Sequence, residues 1–144
     1  MITLTETAAK EALEELSQTI DQSLVLKQGR RWTFLPGALS PGSTLQIDED
    51  GDFAILDLIY VEADRRKKGD ARTALAKLLE AFDNQLGGVE VNLIASQTPI
   101  NKGDLQSTPE EDVLERFYSS FGFTMVGYSD DDKPMMIRRA GGPR

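Results

Sequence analysis

The residues most able to do chemistry in this sequence form a short basic turn between an apolar segment and an amphipathic one. Its basic side chains are Arg65, Arg66, Lys67, Lys68 and Arg72. The apolar segment 53–62 before the turn is typical of a central strand, and the apolar spacing after it predicts a helix. A helix that starts directly after a strand leaves backbone N–H groups unpaired, and its dipole favours an anion there.

Gly69, in the middle of this turn, would let the backbone approach such an anion closely. We therefore interpret the turn as a site for a diphosphate group. The simpler interpretation stays open, because a basic turn between a strand and a helix is often only solvated surface.

The charge of the chain is distributed unevenly. The net charge is −8, but the basic turn together with Asp70 carries +4, which leaves −12 on the remaining residues. A broadly acidic surface argues against general nucleic-acid binding, which needs an extended basic face. Contact with RNA through the basic turn alone is a further hypothesis, which the acidic remainder of the chain disfavours. The acidic surface instead favours a cationic partner.

The chain contains no cysteine and no histidine. An acyl-cysteine intermediate, a Ser-His-Asp triad and a thiolate or imidazole metal site are therefore excluded. Any catalysis has to use carboxylates, tyrosine, lysine, water or backbone groups.

A length of 144 residues predicts one domain, which we assign to residues 1–140, with 141–144 as a tail. No apolar run approaches the roughly 20 residues of a membrane helix. The acidic, amphipathic N-terminus does not resemble a signal peptide. We expect a cytoplasmic protein that contacts neither membrane nor nucleic acid.

Turn signals and apolar periodicity divide the chain into alternating strands and helices. Strands are predicted at 2–4, 24–27, 31–35, 44–48, 53–62, 89–95, 123–128 and 135–139, and helices at 5–20, 71–86 and 108–121. The helix between 53–62 and 89–95 predicts a parallel pair joined by a crossover. Simple alternation divides 53–62 into two faces, with Ala54, Leu56, Leu58 and Tyr60 on one and Ile55, Asp57, Ile59 and Val61 on the other.

Two segments resemble motifs of the GNAT superfamily of N-acetyltransferases. Segment 61–71 matches the acetyl-CoA motif Arg/Gln-x-x-Gly-x-Gly/Ala at Arg66, Gly69 and Ala71. Segment 114–123 is similar to the Phe-Tyr-x-x-x-Gly-Phe segment of the same family. The resemblance implies a GNAT-like α/β (α+β) fold: a mixed, mostly antiparallel sheet with a central parallel strand pair, flanked by helices. It covers nearly the whole chain and is strongest over 53–123.

The resemblance also implies acetyl-CoA as co-substrate and names the residues that would bind it. The pantetheine arm would pair with the backbone of Ile59, Tyr60 and Val61. The diphosphate would lie on the turn and helix start formed by Arg66, Lys67, Lys68, Gly69, Asp70, Ala71, Arg72 and Thr73. Tyr118 would protonate the departing CoA thiolate, and strand N–H groups would stabilise the oxyanion.

The attacking amine must lose a proton, and without histidine a carboxylate or a water chain has to accept it. Asp57 is the preferred candidate because it stands inside an apolar strand, where burial would raise its pKa. Glu62 and Glu90 are the alternates. The simpler interpretation of Asp57 is a carboxylate that faces solvent or pairs with Arg or Lys. For Tyr118 the simpler interpretation is an ordinary helix residue with its hydroxyl in water.

The chain departs from the family pattern at two positions. Asp70 stands where relatives usually have an apolar residue, and Glu111 stands where many carry Asn. The function implied is transfer of acetyl from acetyl-CoA to a primary amine of a cationic small molecule, peptide or protein. The alternative is a non-catalytic GNAT-like module that binds CoA or another anion and acts through a partner. Homodimerisation is expected by family analogy only.

Overall fold

The computed structural model of the chain describes residues 8–51, 53–62, 64, 68–85, 88–95 and 111–139. The strands in these ranges are Val25–Gln28 (β1), Arg31–Phe34 (β2), Ser43–Asp50 (β3), Phe53–Val61 (β4), Glu90–Ile94 (β5), Thr124–Tyr128 (β6) and Pro134–Arg138 (β7). The helices are Ala8–Gln18 (α1), Asp70–Asp83 (α2) and Glu111–Ser119 (α3), and Gln22–Leu24 forms a short 3₁₀ turn. None of these helices is both long and apolar enough to cross a membrane.

The strands in the described ranges form one sheet in the order β1-β2-β3-β4-β5-β7-β6. Neighbouring strands are antiparallel except β4 and β5, which are parallel and are connected through α2. This topology confirms the predicted mixed, mostly antiparallel sheet with a central parallel pair flanked by helices. The turn at Asp50 and Gly51 joins β3 to β4, and the hairpin of β6 and β7 closes one edge of the sheet, as predicted.

Helices α1 and α2 pack against each other and against the central strands β3 and β4. Leu13 of α1 and Leu75 and Phe82 of α2 are completely buried there. Burial of one such side chain contributes about 1.5–3 kcal/mol of hydrophobic stabilisation. Trp32 and Phe34 on β2 are only 4% and 1% exposed and belong to the same core.

Strand β4 contains a β-bulge at Asp57. Leu56 pairs with Ile47 on β3, and Leu58 pairs with the preceding residue, Gln46, so Asp57 has no counterpart on β3. An extra residue in one strand reverses the alternation of side chains beyond it. The predicted division of 53–62 into two faces is therefore wrong past the bulge. The residues that share the face of the buried β3 side chains are Ala54, Leu56, Ile59 and Val61.

The predicted ends of the second helix also need correction. Helix α2 ends at Asp83 and not at residue 86: Asn84 is the C-cap and makes the last bond to a carbonyl four residues back, that of Glu80 at 3.0 Å, whereas Gln85 donates to Phe82, three residues back, at 3.2 Å. The predicted strand 2–4, the beginnings of the first and third helices and residues 65–67 of the basic turn lie outside the described residues.

The apolar residues of α3 at helical spacing pack against the core, except Val113. Val113 is 41% exposed, whereas Tyr118 is only 9% exposed. Leu114 and Phe117 are half-buried against the core. The side chains at 114 and 118 lie one turn apart on one face, as do those at 113 and 117, so spacing alone could not choose between the two faces.

One buried ion pair ties the C-terminal hairpin to α2. Arg138 on β7 is 4% exposed and donates two hydrogen bonds of 2.8 Å to the carboxylate of Asp83. Its Nε also donates to the carbonyl of Phe121 at 2.9 Å, beside Gly122, whose φ of +96° closes the turn after α3. An arginine is rarely buried unless its guanidinium is paired in this way.

Replacing Asp83 by alanine should destabilise the fold by about 3 kcal/mol, because removal of one partner leaves a buried guanidinium unpaired. The free energy of unfolding in urea measures this loss. The matched control is Arg30→Gln, which breaks the solvent-exposed pair of Arg30 with Asp50 and should cost less than about 1 kcal/mol. An equal loss in the free energy of unfolding for the two variants would show that the buried pair stabilises the fold no more than an exposed one.

Candidate active site

The ladder between β4 and β5 ends halfway along β4. We use the word gap for the β4 edge at residues 57–61, which lies outside this ladder within the described residues. The ladder between the two strands runs from Phe53 opposite Glu90 to Leu56 opposite Leu93 and contains no further pair within the described residues. Strand β4 nevertheless continues to Val61, held on its other side by β3. The gap therefore begins at the bulge at Asp57. A strand edge outside a ladder is a place where an extended chain carrying amide groups can bind.

The sequence-predicted pantetheine residues lie on this continuation of β4. Ile59, Tyr60 and Val61 follow the last residue that pairs with β5. The end of the strand is fixed, because Glu62 donates its N–H to the carbonyl of Gly42 at 2.9 Å. All three predicted residues therefore lie on the part of β4 that is outside its ladder with β5.

The N-terminus of α2 follows β4 after a short connection. Gly69 is the N-cap, with φ +84° in the left-handed region, and no side chain caps the helix. A Cβ added at Gly69 would meet nothing within 4 Å, so the helix start is open on that side. The first hydrogen bond within the helix runs from the N–H of Thr73 to the carbonyl of Gly69 at 2.9 Å. An uncapped, accessible helix N-terminus fits a phosphate group.

The charges around this helix start differ from those of a simple basic turn. Lys68 is exposed, whereas Asp70, in the first turn of α2, is only 4% exposed. A carboxylate in the first turn is stabilised by the helix dipole, but it also places a negative charge beside the predicted anion site. Of the other predicted turn residues, Ala71 is half-buried and Thr73 exposed, while Arg66 and Lys67 lie outside the described residues.

The side chain of Arg72, in the first turn of α2, contacts α3 and the residues directly after it. Its guanidinium carbon lies 5.3 Å from the ring centroid of Phe117 and 5.0 Å from that of Phe121. Its Nη1 donates to the hydroxyl of Ser120 at 3.3 Å. These contacts place the C-terminal half of α3, which carries Tyr118, beside the first turn of α2.

Tyr118 is enclosed by aromatic rings. Phe117 and Phe123 contact its ring edge to face, with centroid separations of 5.3 Å and 5.7 Å. Its hydroxyl forms no hydrogen bond with another described residue. Burial raises the pKa of Tyr118 to about 12, because an apolar surrounding disfavours the phenolate. The interpretation of Tyr118 as a solvent-facing helix residue is therefore wrong, and the phenol is a proton donor at neutral pH.

The structure corrects the expected surroundings of Asp57. Its side chain is 44% exposed and its carboxylate lies 3.0 Å from the Nη2 of Arg31. The same guanidinium donates to Asp48 through Nε at 2.8 Å and Nη2 at 3.2 Å. The hydrogen bond with Asp48, more than the charge of Asp57, raises the pKa of Arg31. The premise that burial activates Asp57 is wrong, because the bulge turns the residue out of the core.

The alternate carboxylates lie at other places. Glu62 is exposed directly after β4, and Glu90 is half-buried at the start of β5, opposite Phe53. Glu90 therefore lies at the paired end of β4 and β5, away from the gap.

The sequence did not predict Arg31 as the partner of Asp57 or Ser120 as the partner of Arg72. The alternation of β2 could have placed Arg31 on the polar side, but no local signal relates Ser120 to α2.

A mixed sheet whose parallel pair opens ahead of a glycine-capped helix, with a tyrosine-bearing helix beside it, is the GNAT fold. The chain shares this fold with the crystal structure of an acetyltransferase from Thermus thermophilus, at a TM-score of 0.53, 18% identity and coverage of 90% of this chain and 91% of that one. It is similar to the PaiA N-acetyltransferase of Thermoplasma acidophilum in complex with coenzyme A, at a TM-score of 0.54 and 17% identity, with 93% and 73% covered.

A third structural relative is ElaA of Escherichia coli, with a TM-score of 0.55, 17% identity and coverage of 89% of this chain and 88% of that one. No protein-family model matches the sequence, and no curated protein does. At identities of 17–18% the likeness establishes the fold.

The raised pKa of Tyr118 should appear as a stability difference at high pH. A folded-state pKa of about 12 against about 10 in the unfolded chain means that the contribution is complete below pH 10 and is lost as the pH rises towards 12. Between pH 9 and 12 the wild type should lose about 2–3 kcal/mol more than Tyr118→Phe. Urea denaturation at each pH measures this difference.

The control for this series is Tyr128→Phe, since Tyr128 is 60% exposed on the edge strand β6. Its stability should follow that of the wild type across the same pH range. If Tyr118→Phe also follows the wild type, the hydroxyl of Tyr118 is solvated and the phenol is not held in an apolar environment.

Proposed function

We propose that the chain is an acetyl-CoA-dependent N-acetyltransferase that acts on a primary amine of a cationic small molecule, peptide or protein. The observation that carries this proposal is the buried, protonated phenol of Tyr118 on a helix that packs beside the open N-terminus of α2. The structural likeness to a PaiA N-acetyltransferase that binds coenzyme A supports it. The β4 edge beyond its ladder with β5 would hold the arm of the co-substrate that connects these two features.

The residues present fit both the arm and the diphosphate of the co-substrate. The backbone of β4 at Ile59, Tyr60 and Val61 would align the pantetheine arm as an additional strand-like partner. The diphosphate would take the first amides of α2, where Gly69 leaves open space. Lys68 and the basic residues of 65–67 would add positive charge, and Asp70 would subtract from it. Acetyl-CoA itself would supply an activated thioester.

The role of Tyr118 follows from a comparison of acidities. A phenol with a pKa of about 12 is weaker than a thiol with a pKa of about 8.5 by more than 3 units, or roughly 5 kcal/mol. Complete proton transfer from Tyr118 to a thiolate is therefore unfavourable, whereas hydrogen-bond donation to the sulfur is not. Tyr118 would stabilise the sulfur by a hydrogen bond while the C–S bond breaks. The proton that the amine releases would finally be taken up by the CoA thiolate.

Asp57 is retained as the proposed acceptor of the amine proton. It is exposed at the bulge where the ladder between β4 and β5 ends, and an acceptor amine would have to bind within reach of it. Protonation of Asp57 would weaken its pair with Arg31, and the guanidinium would keep Asp48 as a partner. The group of Asp48, Arg31 and Asp57 carries a net charge of −1, which favours a cationic acceptor.

A second candidate function is a non-catalytic module that binds CoA or another anion. Its support is specific: the carboxylate of Asp57 already forms an ion pair with Arg31 at 3.0 Å, and a binding module needs no base. This candidate shares the open helix N-terminus with the enzyme. It differs because it assigns no role to the hydroxyl of Tyr118.

Release of free thiol from acetyl-CoA with a panel of amines tests the enzyme proposal. The wild type should release thiol with at least one cationic amine, and Tyr118→Phe should lower kcat by about 10²-fold, because hydrogen-bond and acid assistance of this kind contributes about 10²–10⁴ in rate. Tyr128→Phe serves as the matched control and should keep the wild-type rate.

Three other outcomes are informative. Unchanged turnover in Tyr118→Phe would remove Tyr118 from the mechanism. Absence of thiol release, together with a rise in melting temperature on addition of CoA, would favour the binding module. Absence of both would contradict the two candidates.

The role of Asp57 has its own test, because Asp48 binds the same guanidinium. Asp57→Asn should lower kcat for the amine by about 10²-fold if the carboxylate accepts the proton. Asp48→Asn also breaks a pair with Arg31 but should leave turnover within a factor of a few. Equal effects of the two variants on kcat would mean that both act through Arg31 and that neither is the base.

A further inference from the structure

Arg72 is the one described residue of the predicted basic turn whose side chain has a defined set of contacts on α3. Its guanidinium lies over the rings of Phe117 and Phe121, at 5.3 Å and 5.0 Å, within the range of a cation–π interaction. Its Nη1 donates to the hydroxyl of Ser120 at 3.3 Å. One side chain from the first turn of α2 therefore contacts two rings and a hydroxyl at the C-terminal end of α3.

These contacts also satisfy the C-terminal end of α3. The hydroxyl of Ser120 donates to the carbonyl of Phe117 at 2.6 Å, so Arg72 reaches a terminal carbonyl through one hydroxyl. A cation near the C-terminus of a helix is stabilised by the helix dipole. The guanidinium thus contacts two rings, a hydroxyl and the negative end of α3, and this combination stabilises its position against α3.

The groups that Arg72 holds are the groups that surround Tyr118. Phe117 contacts the ring of Tyr118 at a centroid distance of 5.3 Å and an angle of 71°. The N–H of Phe121 donates to the carbonyl of Tyr118 at 2.9 Å. A shift of Phe117 or Phe121 would therefore move Tyr118 relative to α2.

We propose that Arg72 is a positioning residue that fixes α3 against the first turn of α2 and thereby sets the place of the Tyr118 hydroxyl. This inference rests on the proposed function, because it assigns the position of Tyr118 a consequence for acetyl transfer. It differs from the role that the sequence predicts for Arg72, which is to add charge to the diphosphate site. The two roles predict different kinetic effects. Loss of a positioning residue lowers kcat, whereas loss of a charge that binds the diphosphate raises the KM for acetyl-CoA.

The test compares Arg72→Met, which keeps side-chain length but removes the charge and the donors, with Lys77→Met. Lys77 is exposed on the same helix, so its variant controls for the loss of one positive charge. Arg72→Met should lower kcat by about 10- to 100-fold, as expected for a misplaced group, with the KM for acetyl-CoA unchanged. Lys77→Met should change neither constant.

A second measurement does not depend on turnover. The phenolate absorbance of Tyr118, obtained as the difference between each protein and its Tyr118→Phe counterpart, should titrate near pH 12 in the wild type. In Arg72→Met the midpoint should fall towards about 10 as the rings around Tyr118 loosen and water enters. If Arg72→Met does not fold, Arg72→Lys replaces it and should show the same changes at smaller size, because lysine keeps the charge but loses the planar fork.

A double variant completes the test. If Arg72 acts through Tyr118, Arg72→Met combined with Tyr118→Phe should be no slower than Tyr118→Phe alone. Multiplied losses, or a raised KM for acetyl-CoA with unchanged kcat, would overturn the proposal. If the wild type turns over no amine, the proposed function fails, and the titration alone decides: a lowered midpoint supports the positioning role and an unchanged midpoint overturns it.

Discussion

Backbone hydrogen bonding between β4 and β5 stops at Leu56 and Leu93, immediately before the β-bulge at Asp57. A bulge bends its strand and increases the local twist, while β3 continues to hold β4 on the other side. Strand β4 can therefore leave the parallel ladder without loss of the sheet. The candidate site depends on this, because the β4 edge at residues 57–61 lies outside the ladder and Asp57 is exposed where that edge begins.

The second requirement is a positive site on an acidic protein. With a net charge of −8, long-range attraction does not bring an anion to this chain, so binding must come from groups at short range. The uncapped N-terminus of α2 provides such groups through its backbone, and Gly69 leaves the space for a ligand. The buried Asp70 lies in the same helical turn, which makes the balance between the helix dipole and this carboxylate the main electrostatic variable of the site.

Burial has opposite effects on the two candidate catalytic groups. Tyr118 is enclosed, which keeps its proton and limits it to hydrogen-bond donation at neutral pH. Asp57 is exposed and shares the guanidinium of Arg31 with Asp48, so solvent and a cationic group can reach its carboxylate. The helix that carries Tyr118 is short, so its place depends on residues from other elements, with Arg72 on one side and the hairpin residue Arg138 bound to Phe121 on the other.

Local patterns in the sequence were sufficient for the elements, the parallel pair and the glycine-capped helix start, because strand and helix periods and turn residues such as Gly51 and Gly69 act over a few neighbours. They were not sufficient for the faces of β4 beyond Asp57, the burial of Tyr118 or the orientation of Arg72. The bulge depends on the register with β3, and the contact between Arg72 and Ser120 joins residues 48 positions apart. Such properties arise when distant elements pack, since packing selects among faces and partners that the local pattern leaves equivalent.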